Sequence, residues 1–259
     1  MLAGWYERNG AAREVLRVGD QPDPVPGRGE VRVRLRASAV NPSDVKARAG
    51  SRPVIPPRVI PNSDGAGEID RVGPGVSKRR LRQRVWTYNG QWQRASGTSA
   101  QYIALPAGLA VPLPRKLDWA QGACLGIPVM TAHRCLFADG PIRGMTVLVA
   151  GGAGVVGHYA VQLARWAGAR VIATYATAAA QDFVLPLRLR QRNITVRMVF
   201  VYTMPDAAKR QAIADIRRWV ATGRPKFAIA ARFPLAEIAA AHETVESGKK
   251  IGHVILDIP

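Results

Sequence analysis

Cysteine is scarce: Cys124 and Cys135 are the only two in 259 residues. Two thiols outside a CxxC spacing give neither a disulfide framework nor a cysteine-based metal cluster. Both read as small packing residues in a reducing compartment. Acidic residues are also few, 18 against 37 Lys and Arg, leaving a net charge of +19. Such an excess invites a nucleic-acid reading. However, only 7 of the basic residues are lysine, and the arginines are spread along the chain. The one dense cluster runs from Lys78 to Arg84, and no zinc-finger or RRM signature accompanies it. Contact with nucleic acid is therefore expected only as non-specific, salt-sensitive adhesion. A clean membrane span is lacking too: the apolar run from Val147 to Ala164 carries His158, Gln162 and four glycines. The opening MLAGWYERNG has no apolar core of a signal peptide, so a cytoplasmic chain that does not enter the membrane is expected.

What is present is organised around Met145 to Tyr175. The apolar run Val147–Ala150 has the length of a buried parallel strand. Gly152, Gly154 and Gly157 follow in G-x-G-x-x-G spacing. A helix is then expected, with Val156, Ala160, Leu163, Ala164 and Ala167 on one face and Gly168 stopping it. Val171–Ala173 reads as the next strand. Strand, glycine turn, helix and strand together form the context in which this spacing binds a dinucleotide. The glycines permit the tight turn, the approach of backbone to pyrophosphate and close packing of helix on strand. The helix start offers unpaired N–H groups and a positive dipole end. A glycine-rich turn of this shape can also bind nothing.

A further absence bears on the cofactor. An NAD site calls for an acid about 20 residues beyond the glycines, at the end of the second strand. Here that place is Thr174-Tyr175-Ala176-Thr177, and the next acid is Asp182. An acid-free strand end suits a 2′-phosphorylated ribose, so NADPH is expected over NADH. No Lys or Arg stands between Arg170 and Arg188 to grip that phosphate.

The first 120 residues read as β-rich. Glu30–Ala39 alternates, with Val31, Val33, Leu35 and Ala37 on one side and Arg32, Arg34 and Arg36 on the other, as in a half-buried strand. Short strands punctuated by glycine and proline point to a barrel or sandwich. Asn41-Pro42-Ser43-Asp44 reads as a turn or as a helix start with proline in the first position. Ala120–Phe137 reads as two helical pieces, Asn193–Met204 as a strand and Asp206–Thr222 as an amphipathic helix. That helix should bury Ala207, Ile213, Ile216 and Val220. A strand over Phe227–Phe233, a helix over Leu235–Val245 and a last strand over His253–Ile258 complete the chain.

Several segments, in order, resemble one family over nearly the whole chain. They are Ala39–Asp44 with Arg48 and Gly50, Asp64–Ile69 with Val72-Gly73, and Gly97–Tyr102. Gly126-Ile127-Pro128 with Thr131-Ala132, the turn Gly151–Gly157, and Phe233–Leu235 with Ala241–Glu243 and Gly248 follow. The chain resembles the zinc-independent, zeta-crystallin-like quinone oxidoreductases of the medium-chain dehydrogenase/reductases. The resemblance implies an α/β plus β fold. A GroES-like β-barrel domain would be formed by 1–120 and 225–259. A Rossmann domain, a doubly wound parallel sheet, would be inserted at 121–224. It implies NADPH-dependent reduction of quinones or related enones by hydride transfer, without zinc, and a homodimer formed through the Rossmann sheet edge.

By the same resemblance Asn41 reaches the nicotinamide or the substrate carbonyl, as the catalytic-domain candidate, where its amide would donate to developing oxyanion charge. Thr131 contacts the nicotinamide. Gly151, Gly152, Gly154, Val155, Val156, Gly157 and Thr174 hold the rest of the cofactor. Asn41 could equally cap the turn at Pro42, and Thr131 could be an ordinary helix residue. Tyr88 and Tyr102 read as structural, and His133 and His242 as packing residues. No metal ligand set is expected.

Three departures stand out. The chain is shorter than two full domains of roughly 150 residues each, as if about three Rossmann strands were absent between Tyr175 and Asn193. Strands 1 and 2 and a last strand would remain. The last strand would then move beside the first, or a partner chain would fill the gap. Arg82 stands where the family has a glycine, and His253 where Lys or Asn is commoner. The shortening keeps open a second reading, a family member without turnover, and the charge a third, a basic nucleic-acid-binding protein.

Overall fold

The computed structural model describes residues 1–174 and 198–259. A short hairpin pairs β1 (Leu2–Trp5) with β2 (Arg17–Asp20) around the one-turn helix α1 (Ala12–Val15). The long strand β3 (Glu30–Val40) is the axis of the β-rich part. Its predicted alternation holds from Val31 to Ala37, with Val31, Val33 and Leu35 fully buried and Arg34 exposed. Arg32 departs from the wet face: it is buried and paired with Asp70 at 2.6 Å, beneath Tyr102. Helix α2 (Pro42–Lys46) follows at once, so Asn41-Pro42 is a helix start and not a free turn.

Strands β4 (Asp64–Val72), β5 (Arg84–Thr87), β6 (Tyr102–Pro106) and β7 (Ala110–Pro112) continue the sheet. Two helices, α3 (Trp119–Ala123) and α4 (Ile127–Phe137), lead out of it, matching the two pieces expected around Pro128. Next come β8 (Thr146–Val149), α5 (Val155–Trp166) and β9 (Arg170–Ala173), the strand–turn–helix–strand unit read from the sequence. Gly168, at φ +85°, ends the helix. Beyond the gap, α6 (Asp206–Thr222) buries Ala212, Ile216, Trp219 and Val220, while Ala207 is exposed. Ile216 and Val220 are buried as predicted and Ile213 packs partly buried against the same core, with Trp219 rather than Ala207 completing the face.

Strand β10 (Ile229–Pro234), helix α7 (Ile238–Glu246) and strand β11 (His253–Asp257) form a parallel crossover. Strand β11 pairs antiparallel with β3, Val254 opposite Val40. The seven-stranded sheet therefore runs β10-β11-β3-β4-β5-β7, with β6 also on β3. The chain's two ends share one barrel.

Two expectations about the inserted part need correction. Residues 198–204 are not a strand; Val201–Thr203 is a single 3-10 turn. Phe200 and Tyr202 pack on Trp92 there, Pro205 follows, and among the described residues no strand pairs with the β-branched run. Nor does this segment move in beside the first strand. Among the described residues β8 pairs with β9 alone. Residues 193–197, Tyr175–Thr177, Asp182 and Arg188 lie outside the described residues.

Candidate functional site

A cleft of about 790 Å³ opens between the barrel and the two-stranded unit. Asn41, Pro42 and Ser43 line it from the barrel, Ile127 and Pro128 from the start of α4, and Gly151, Gly154, Val155, Val156 and Gly157 from the glycine turn. Sequence-predicted residues 41, 151, 154, 155, 156 and 157 thus meet around one space. Gly152, Thr131 and Thr174 do not line it. Gly152 packs against Ala173 and donates its N–H to the Thr174 carbonyl at 2.9 Å, so both brace the turn from behind. Thr131 donates its hydroxyl to the Ile127 carbonyl at 2.7 Å, inside its own helix. Tyr88 and Tyr102 are away from the cleft. His133 bonds Asp215 at 2.9 Å, and His242 is fully buried, its ring nitrogens without a described partner.

The turn fits a dinucleotide. A Cβ on Gly157 would overlap the Gly151 carbonyl, which forces glycine where helix meets turn. Gly151 sits at φ +70° with open space beside it, and Gly154 meets only the Gly151 carbonyl at 3.4 Å. Backbone is therefore bare toward the cleft. The first N–H groups of α5 have no carbonyl partner within the helix, as at any helix start, so an anion there would be bound by amides and dipole together. Val156 was expected on the buried face. It is exposed and lines the cleft, while its neighbour Val155 packs against the core.

The barrel wall is built around two buried carboxylates. Asp44 accepts the backbone N–H of Asn41 at 2.9 Å. Asp64 accepts the Asn41 side-chain N–H at 2.8 Å and the Ile127 backbone N–H at 2.7 Å, both on Oδ2. Burial pushes the Asp44 carboxyl up to about 7, against the pull of the Asn41 amide and the Arg52 charge. Burial, with Asp44 beside it, likewise raises Asp64 well above the carboxylate range. Ser43 shares a 2.8 Å hydrogen bond with the Tyr202 hydroxyl.

On the third wall, His253 and Lys250 border the cleft. The Tyr159 hydroxyl meets His253 Nε2 at 2.8 Å. Burial, then the Lys250 and His158 charges, hold His253 down to about 3, so it is neutral. Between a neutral imidazole and a hydroxyl this bond can run in either direction, and the imidazole tautomer sets which. Sequence reasoning noted His253 and Asp64 but gave them no role. Asp64 offered one signal, an acid within a strand, where Asp is depleted.

Among the described residues, no helix is long and apolar enough to cross a membrane, and no group of three or more His, Cys, Asp or Glu is placed to hold a metal ion.

Comparison with known proteins points the same way as the topology. The family model described as alcohol dehydrogenase GroES-like domain matches residues 27–115, and that described as zinc-binding dehydrogenase matches 143–256. The quinone oxidoreductase of Homo sapiens is 36% identical over 177 residues, covering 66% of this chain and 52% of its own. The chain thus spans about half the length of the curated relatives it matches. A mycobacterial protein solved complexed with NADPH is 25% identical, with a TM-score of 0.78 over 99% of this chain and 100% of its own. An alcohol dehydrogenase superfamily protein from Novosphingobium aromaticivorans, 24% identical, shares the fold at a TM-score of 0.86 over 100% of both chains. With a GroES-like barrel shared by both chain ends and a Rossmann-like glycine turn set into it, the chain belongs to the medium-chain dehydrogenase/reductase family.

Proposed function

We propose that the chain is an oxidoreductase that uses NADPH to reduce quinones or related enones, without zinc. One observation carries this reading: the bare glycine turn at the start of α5 opens onto the same cleft as Asn41 of the barrel. The pyrophosphate would lie on the Gly151–Gly157 amides, and the nicotinamide would point toward Asn41 and α4. The domain limits follow the sequence reading, 1–120 with 225–259 for the barrel and 121–224 for the cofactor domain. NADPH over NADH rests on Thr174, just past the end of β9, where an acid would otherwise stand. A homodimer and a cytoplasmic location remain part of the same proposal.

The bound dinucleotide would supply the hydride; the protein supplies place and polarity. Hydride would add to a ring or β-carbon of the substrate, the displaced electron pair would move to the carbonyl oxygen, and a proton from bulk solvent would complete the reduction. Asn41 has two amide hydrogens, and one is committed to Asp64. The other is left to stabilise the oxygen as charge develops. Apolar walls from Val147, Val149, Ala160 and Pro128 exclude water around a flat, apolar acceptor. Zinc would need a ligand set, and Asn41, which the barrel offers to the cleft, is a poor donor for it. The test is turnover of quinone with NADPH by the purified chain. NADPH consumption that requires quinone and survives a chelator is expected. No consumption by folded protein would leave the reading of a family member without turnover.

A further inference from the structure

A single carboxylate oxygen ties together two segments that line the cleft, Asn41 of the barrel and the start of α4. Asp64 lies in β4, fully buried. Its Oδ2 takes one hydrogen from Asn41 Nδ2 and one from the Ile127 backbone nitrogen, at 2.8 and 2.7 Å. Ile127 is the first residue of α4, and the residue before it, Gly126, has no side chain with which to cap the helix. The N–H groups of a first helical turn have no intrahelical acceptor and need one from elsewhere. Asp64 provides it from 63 positions earlier in the chain. Gly126 makes this approach possible, because a Cβ at that position would overlap the Asp64 carboxylate. The backbone of the same residue is also held, since the Asp64 carbonyl accepts from Thr98 Oγ1 at 2.8 Å. The acid is thus fixed in place before it meets either donor.

We infer that Asp64 is a positioning residue: through Oδ2 it holds the Asn41 amide of the barrel beside the start of α4, and so fixes how these two lining segments meet along the cleft where nicotinamide and substrate would lie. The acceptor oxygen matters, not the charge. Asp44, Arg52, Tyr202, Ser63 and Cys124 surround the pair, and the second carboxylate oxygen of Asp64 has no partner among the described residues. An asparagine can place its own carbonyl oxygen where Oδ2 lies and leave its NH2 in that second position. A leucine offers no acceptor.

The consequence for turnover rests on the reductase reading above, and the test separates the two. Asp64→Leu, Asp64→Asn and Gly126→Ala are compared with a barrel control, Leu35→Ala, which opens a core cavity away from the cleft. Amide exchange at Ile127 is read by NMR, without cofactor, together with NADPH affinity and quinone turnover. Exchange at Ile127 should rise at least tenfold in Asp64→Leu and in Gly126→Ala, where the new Cβ displaces the carboxylate. Asp64→Asn should stay within a few-fold of the parent. In turnover, the leucine and Gly126→Ala variants should lose at least tenfold in kcat, with NADPH affinity within threefold, since the glycine turn is untouched. Leu35→Ala should lower Tm and leave kcat alone. Unchanged exchange at Ile127 in both Asp64→Leu and Gly126→Ala would overturn the inference, whether or not the parent turns over. If Asp64→Leu does not fold, Gly126→Ala alone decides. Altered exchange with no turnover in the parent would sink the reductase reading and leave the positioning intact.

Discussion

The barrel and the glycine-turn unit are built from similar residues and solve the same problem to different degrees. Strand β3 is paired by β4, β6 and β11, and Leu35 on it is fully buried. Strand β8 has one described neighbour, β9, and its Leu148 is 66% exposed; Ile172 on β9 is 53% exposed. A strand's apolar side chains stabilise only when another layer covers them, and its N–H groups only when another strand takes them. The contrast explains how one chain can hold a rigid wall bearing Asn41 opposite a sparsely supported wall bearing the phosphate turn. The barrel positions, while the two-stranded unit depends on α4, α5 and α6 packed against it. Tyr159, Leu163 and Trp219 carry that packing, all buried in a core that also includes Trp86 and Tyr88 of the barrel.

The largest expected effect lies in the weaker region. Gly157→Val would drive its side chain into the Gly151 carbonyl and break the turn. NADPH affinity should fall at least a hundredfold by fluorescence titration, while the barrel keeps its far-UV signature. The comparison is then sharpened by the same substitution in both regions. Leu35→Ala should cost about 2–5 kcal/mol in denaturant unfolding, the range for a closed core. Leu148→Ala should cost under about 0.5 kcal/mol, the range for surface positions. A large loss at Leu148 would mean that β8 is covered in solution.

Acid and base limbs of stability offer a third test. Burial, then Arg48, holds the His242 imidazole down to about 3, and burial does the same for His253. Their folded values lie below the unfolded ones, so stability falls as pH drops from about 6.5. Asp44, raised to about 7, acts in the opposite sense: its contribution is present below about 4 and is lost as pH rises toward 7. Asp64, also raised by burial, acts the same way. Asp44→Asn should therefore raise stability at pH 8 relative to pH 5. The slope would change by at most about 1.4 kcal/mol per pH unit, one proton's worth. The smallest effect concerns the barrel hairpin. Arg82 holds φ +62°, with its N–H on the Ile69 carbonyl at 2.8 Å. Relief of the left-handed strain by Arg82→Gly should add about 0.5–1 kcal/mol, read as a rise in Tm.

Much of this was legible in the sequence, for reasons that differ by element. The alternation in Glu30–Ala39 announced β3, because a half-buried strand must alternate. The glycine spacing announced the turn, because only glycine survives so close to the Gly151 carbonyl. Arg82 stands where the family has a glycine, and it takes the left-handed φ of +62° that glycine favours. The 198–204 segment misled: β-branched residues fit a strand only when a ladder is beside them, and here aromatic packing on Trp92 takes its place. The link between Asp64 and Ile127 could not be read, since it joins residues 63 apart through a backbone N–H that carries no side-chain signature.

The account stands or falls on whether the cleft takes the cofactor. The direct measurement is a fluorescence titration of the purified chain with NADPH, with NADH and Gly157→Val alongside. Saturable binding in the micromolar range, weaker for NADH and lost in the variant, is the predicted result. A folded parent chain that binds neither dinucleotide, or binds both equally and unchanged in Gly157→Val, would contradict it.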